Sequence, residues 1–127
     1  MSDKFTVEII SPDRAVLKSD AIEVTIPSYE GQMGILKDHI PLITFLRPGF
    51  ISIKNQNEKK YYVEEGTVEF SDNNLIILTS TAKDLENLDK NLINKLIHDA
   101  ENLISNSSSD KDQYLASYKI NTLKEIN

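Results

Sequence analysis

From residue 4 to about residue 80, apolar and polar positions alternate. Phe5, Val7 and Ile9 are separated by Thr6 and Glu8; Ile22, Val24 and Ile26 are separated by Glu23 and Thr25. Phe50, Ile51 and Ile53 are interrupted by Ser52 and Lys54, Tyr62 precedes Val63, and Val68 and Phe70 flank Glu69. A period of two places every second side chain on one face, as a strand with one buried face requires. The continuous run Leu75-Ile76-Ile77-Leu78 predicts a strand covered on both sides. Turn formers separate the runs: Ser11-Pro12-Asp13, Lys18-Ser19-Asp20, Pro48-Gly49, Asn55-Gln56-Asn57 and Ser71-Asp72-Asn73-Asn74. This spacing predicts about eight to ten short strands in a sandwich or barrel.

From residue 88 the period changes. Leu88, Leu92, Ile93, Leu96, Ile97, Ala100, Leu103 and Ile104 mark one face of an amphipathic helix. Asp89 is placed to cap it, because a carboxylate there can accept from free N–H groups of the first turn. The polar break Ser105-Asn106-Ser107-Ser108-Ser109-Asp110 is followed by a second helical pattern with Tyr114, Leu115, Tyr118 and Leu123 as apolar positions. Asp110 or Asp112 is expected to cap that helix. The fold class is therefore mainly β with α. A β-sandwich over residues 1–85 precedes an antiparallel helical hairpin over 86–127, with Thr81 to Asn87 as the hinge. Helices of about 15 residues are marginal alone in water, so the hairpin must dock on the sandwich or on a partner.

Composition narrows the function. The chain of 127 residues has no cysteine, which removes thiolate chemistry and Cys-based metal sites. Its net charge of −6 offers no footprint for a phosphate backbone, so nucleic acid is not expected as a partner. No apolar run approaches the roughly 18 residues a membrane span needs, and Met1-Ser2-Asp3-Lys4 leads straight into a strand pattern without a leader. A cytoplasmic protein without direct membrane insertion is expected.

Candidate chemistry is sparse. There is no G-x-S-x-G, and His39 and His98 fall in different halves. Glu64 and Glu65 are expected on a strand, hence on opposite faces and unable to work as a pair. Gly31 and Gly34 do not make a phosphate loop. The unusual stretch is residues 26–42, where two glycines three apart allow positive φ and set Glu30 and Met33 at the tip of a loop. A decorated hairpin and a contact surface both account for it. On residues alone, a ligand-binding sandwich using Tyr61 and Tyr62 and a small hydrolase using Glu, Asp or His39 remain alternatives.

The same stretch resembles the epsilon subunit family of F-type ATP synthases. Glu30-Gly31-Gln32-Met33-Gly34, Ile35-Leu36 and His39-Ile40-Pro41-Leu42 occupy the family's Glu-Gly-x-apolar-Gly, apolar pair and His-x-Pro-Leu. Leu46-Arg47-Pro48-Gly49, Tyr61-Tyr62-Val63 with Gly66, Leu75 to Leu78, Thr81-Ala82 and Leu88-Asp89 follow in the family's order. The resemblance covers nearly the whole chain. It implies a ten-stranded sandwich and a mobile hairpin, in a non-catalytic central-stalk subunit of a proton-translocating synthase. The implied partners are the gamma subunit, the c subunits of the membrane rotor ring and, transiently, the alpha/beta catalytic head. The implied location is the cytoplasmic face of a bacterial inner membrane, as a peripheral subunit; an organelle-encoded homologue would share fold and partners. Glu30, Gly31, Gln32, Met33 and Gly34 inherit the ring contact, and His39, Pro41 and Leu42 a gamma or ring contact.

Two departures qualify the hairpin. Many family members bind ATP through Ile/Leu-Asp-x-x-Arg-Ala at the first helix. Here Leu88 and Asp89 keep the first two positions, but Leu92 stands at the arginine. The second helix offers only Lys119 and Lys124 nearby, and lysine does not reproduce arginine's planar, bidentate phosphate contact. No cofactor is therefore expected. Residues 112–127 set Asp112 and Glu125 against Lys119 and Lys124, two minus two, for zero formal charge. Attraction to an acidic target is then small and salt-sensitive, and inhibition of ATP hydrolysis is expected to be weak. In a direct titration, ATP is expected to show no saturable sub-millimolar binding; such binding overturns the reading of Leu92.

Overall fold

Each alternating run forms a strand, and the strands appear in the expected number. The computed structural model describes residues 3–106 and 109–126. The strands are β1 (Phe5–Ser11), β2 (Arg14–Ala21), β3 (Glu23–Ser28), β4 (Gly31–Leu36), β5 (Leu42–Leu46), β6 (Gly49–Lys54), β7 (Glu58–Val63), β8 (Gly66–Ser71), β9 (Asn74–Leu78) and β10 (Lys83–Asp84). Two helices follow, α1 (Lys90–Asn106) and α2 (Asp110–Ile126). Residues 107 and 108 of the polar break lie outside the described residues.

The strands run in the order β10-β7-β6-β3-β5-β8-β9-β1-β2, with β4 added to β3. Strand β3 is the fold line. Its start pairs with β6 through Glu23 to Thr25, and its end pairs with β5 through Ser28 and Leu46. The sheet bends there and closes on itself as two layers. Their inner faces share one core that includes Phe5, Val7, Ile9, Val24, Ile26, Ile35, Ile51, Ile53, Phe70, Leu75 and Ile77. Strand β1 pairs in parallel with β9 and antiparallel with β2, so the first and ninth strands lie side by side.

Turn chemistry matches the sequence at most breaks, but Lys18-Ser19-Asp20, expected as a turn, lies inside β2 and pairs with β1. Asp72 and Asn73 both have positive φ, 50° and 60°, and close the β8–β9 hairpin in two residues. Such residues tolerate the left-handed region that a tight hairpin turn needs. Gly49 opens β6 where two backbones approach closely. A Cβ on it would lie 2.5 Å from Cβ of Pro27.

Several expectations are corrected. Leu75 to Leu78 is not covered on both sides: Leu75 and Ile77 are buried, while Leu78 is exposed, so the run alternates after all. Glu64 and Glu65 lie in the link between β7 and β8 rather than on a strand. The segment Thr81 to Asn87, read as the hinge, holds structure of its own. Lys83 and Asp84 pair with Tyr62 and Tyr61, and a 3-10 turn follows at Leu85–Asn87. The expected boundary between residues 85 and 86 falls inside that turn.

Helix α1 begins at Lys90, two residues after Leu88, and Asp89 caps it: Leu92 N donates to Asp89 Oδ1 at 2.7 Å. At α2 the capping side chain is Ser109, whose Oγ accepts from Asp112 N at 3.4 Å; Asp110 and Asp112 instead supply negative charge to the first turn. The buried positions of α2 are Ala116, Thr122 and Leu123, whereas Tyr114 is exposed.

The hairpin lies folded on the outer face of β6 and β7. Tyr62, Ile93 and Leu123 form a second buried cluster, with Phe50, Leu85, Leu88, Leu96, Ile97 and Ile126 packed around it. Because this cluster is separate from the sandwich core, Leu123→Ala should remove docking energy of about 2–5 kcal/mol without opening the sandwich. Amides of α1 and α2 are then expected to exchange faster while those of β1–β9 keep their protection; uniform acceleration overturns the separation. Gly49→Ala should act on the sandwich, lowering global unfolding stability by roughly 1–3 kcal/mol in a urea titration.

Candidate functional site

The residues singled out in the sequence form the β3–β4 hairpin and the segment after it. Ser28 pairs with Gly31, leaving Tyr29 and Glu30 as the two-residue turn. Gly31 has φ of 123°, a region a side chain would resist, and its missing Cβ faces open space. Ser28 is fully buried and its Oγ donates to the Gly31 carbonyl at 2.7 Å, so the root of the turn is rigid.

Two placements differ from the sequence reading. Gly34 is an ordinary β4 residue opposite Thr25, without positive φ. Met33 is not at the tip; it pairs with Ile26 and packs against the core. The tip is Tyr29 and Glu30, both exposed, with Gln32 exposed on the strand that follows.

His39 is fixed locally. Its Nδ1 lies 2.7 Å from the Ile40 carbonyl, and its ring meets Phe70 edge-on at 5.9 Å. Asp38, at φ of 67°, exchanges two hydrogen bonds with Asn73: its N–H donates to Asn73 Oδ1 at 2.7 Å, and Asn73 Nδ2 donates to its Oδ1 at 3.0 Å. Pro41 is exposed, and Leu42 packs against the core from β5.

The sequence reading missed an apolar surface beside the turn. On β5, Thr44 and Leu46 point inward, so Ile43 and Phe45 point out, 76% and 59% exposed. Ile40 is 75% exposed and Leu78 50% exposed. Tyr29 N donates to the Phe45 carbonyl at 3.2 Å, which brings the turn to the edge of this surface. A groove of about 1060 Å³ runs along it, lined by Ile10, Tyr29, Phe45, Thr67, Leu78 and Lys111. The available signal was the run Leu42-Ile43-Thr44-Phe45-Leu46, whose parity buries a threonine and exposes a phenylalanine. Exposed Thr67 and Glu69 of β8 lie between these apolar residues of β5 and β9.

The other candidate positions belong to the docked hairpin. Leu88 joins the second buried cluster, and Asp89 is engaged as the α1 cap. Leu92 faces a cleft of about 420 Å³ that also holds Arg14, Lys59, Lys83 and Asp84. On the α2 side, the Tyr62 hydroxyl donates to Glu64 Oε2 at 2.9 Å, and Glu64 Oε1 lies 3.8 Å from Lys119 Nζ. Burial, then the charge of Glu64, pushes the Tyr62 phenol far above its usual pKa, so it remains a donor across the physiological range. His98 is exposed on α1 beside Asp99. Among the described residues there is no group of three His, Cys, Asp or Glu side chains fit to hold a metal ion. Among the same residues no helix is long and apolar enough to cross a membrane.

Residues 4–84 match the family model for the beta-sandwich domain of the ATP synthase delta/epsilon chain. The whole chain is 46% identical over 130 residues to the ATP synthase epsilon chain of Pelagibacter ubique, with both proteins covered in full. It is 35% identical over 115 residues to the chloroplastic epsilon chain of Pyropia yezoensis, covering 90% of this chain and 86% of that one. The fold is similar to a chain of the Euglena gracilis mitochondrial ATP synthase, with a TM-score of 0.80 at 22% identity over 98% of this chain and 82% of that one. A chain from the Tetrahymena thermophila mitochondrial ATP synthase central stalk and c-ring aligns with a TM-score of 0.68 at 17% identity, covering 94% and 93%. With its sandwich domain matched nearly end to end and a full-length relative at 46% identity, the chain belongs to the ATP synthase epsilon-chain family, whose members are non-catalytic subunits of that complex.

Proposed function

We propose that this chain is a central-stalk subunit that joins gamma to the membrane rotor ring and turns with them. The apolar surface of Ile43, Phe45 and Leu78 supports this reading, because these side chains are exposed on neighbouring paired strands. It is assigned to gamma. The adjoining turn, Tyr29 and Glu30 with Gly31, Gln32 and Gly34 behind it, is assigned to the polar loops of the ring. Met33 supports the turn from the core side. His39, Pro41 and Leu42 lie between the two surfaces in sequence and are assigned to their shared border.

A stalk subunit must pass torque without deforming, and a close-packed sandwich closed on one core suits that demand. The relative solved within a central stalk and c-ring supports the same placement. The complex would sit at the cytoplasmic face of a bacterial inner membrane, with this subunit held there only by its partners.

The hairpin is proposed as a two-position element that contacts the alpha/beta head when released. Its inhibition of ATP hydrolysis is weak. Helix α2 as folded adds Asp110 and Lys111 to the earlier count, and its formal charge remains zero (three acidic against three basic). Packing around Tyr62 supports a hairpin that docks without a nucleotide.

Co-elution with the matching gamma subunit on size exclusion tests the assignment. The full chain is expected to co-elute; Phe45→Glu, which charges the middle of the apolar surface, is expected to abolish this, while Glu30→Gln retains it. Loss with Glu30→Gln and retention with Phe45→Glu reverses the two surfaces. In the assembled head, deleting residues 88–127 is expected to change ATPase activity little, and a several-fold rise sinks the weak-inhibition reading.

A further inference from the structure

Arg47 is one of two arginines in the chain, and it touches both the turn and the hairpin. It follows β5 directly. Its backbone N–H donates to the Pro27 carbonyl at 2.9 Å, and its Nε donates to the Ser28 carbonyl at 2.9 Å. Both acceptors lie at the end of β3, immediately before Tyr29 and Glu30. The far side of the same guanidinium lies over the Tyr118 ring of α2, with Cζ 4.1 Å from the ring centroid.

The aromatic side of this contact is braced. Tyr118 meets Tyr114 edge-on at 4.8 Å. The Tyr114 phenol is pushed above its usual pKa, first by its hydrogen bond with Tyr118, while the Arg47 charge acts in the opposite sense. Only a planar guanidinium can donate in its plane to a carbonyl while its face covers a ring; an ammonium cannot do both in this geometry.

The geometry points to Arg47 as a positioning residue that couples the Tyr29–Glu30 turn to the docking of α2. A displacement of the Ser28 carbonyl pulls the guanidinium off Tyr118 and favours hairpin release. Linkage makes the effect reciprocal, so release of α2 loosens the turn by the same factor. In the assembled stalk, engagement of the turn would then set the hairpin equilibrium. That last meaning rests on the proposed ring-facing role of the turn, whereas the coupling itself does not.

The test uses the isolated full-length chain, so it fails or succeeds independently of ring binding. Hairpin opening is read from amide exchange of α2 residues 116–123 by NMR. Tyr118→Leu and Arg47→Ala should each raise opening about two- to five-fold, the size of one exposed cation–π contact, and the double variant no further. Tyr118→Phe should match the parent, and Arg47→Lys should behave like Arg47→Ala. Transmission is read with Gly31→Ala, which strains the turn backbone where the added Cβ meets nothing within 4 Å. It should raise α2 opening in the parent but not beside Arg47→Ala. If Gly31→Ala leaves the turn amides unmoved, insertion of two glycines between Tyr29 and Glu30 replaces it, since that loop cannot keep the present register. A remodelled turn with unchanged α2 exchange overturns the coupling, as does full additivity of Arg47→Ala and Tyr118→Leu.

Discussion

The second half of strand β7, Tyr61 to Val63, is buried on both faces, and much of the architecture answers to that. Tyr61 and Val63 face the sandwich core, while Tyr62 faces outward and is wholly covered. A sheet face carrying a tyrosine and Phe50 cannot stay bare in water without losing the burial of two large rings. Something must lie on it. In the folded form that cover is the hairpin, through Ile93 and Leu123. The hydroxyl of Tyr62 sharpens the requirement, since it needs an acceptor when covered and finds Glu64.

The same constraint explains why the hairpin holds together. Its helices meet water on their outer sides and have only a narrow apolar stripe each. Alone they would be marginal, and the β6–β7 face supplies the missing burial. Lys119 adds an ion pair to Glu64, but at this exposure such a pair contributes little next to the packing. Docking is thus mainly an apolar contact, the kind of contact that another apolar surface can replace.

Much of this was legible in the sequence, and the misses have physical reasons. Alternation located the strands, and the change of period located the helices. Leu75 to Leu78 misled because a run of four apolar residues does not say whether its outward pair is covered; Leu78 is not. Glycine pairs misled at Gly34, because glycine permits positive φ without requiring it. On α2 side-chain size did not mark the buried side: Tyr114 is exposed while the small Ala116 is buried. At the candidate site the turn was found through its residues, but Ile43, Phe45 and Arg47 were not. Their importance comes from strand parity and from a contact with Tyr118, 71 positions away, which no local pattern carries.

The parallel pairing of β1 with β9 sets an order on the making of this molecule. Residues 5–11 are made well before residues 74–78, yet one of their two edges has no neighbour until those later residues have followed. The β1–β2 hairpin can form early from local contacts, but the sandwich cannot shut across that seam until nearly two thirds of the chain exists. The entropy of bringing such distant segments together is met before their contact repays it. Strand β1 is therefore enclosed on both edges only after β9 has been made.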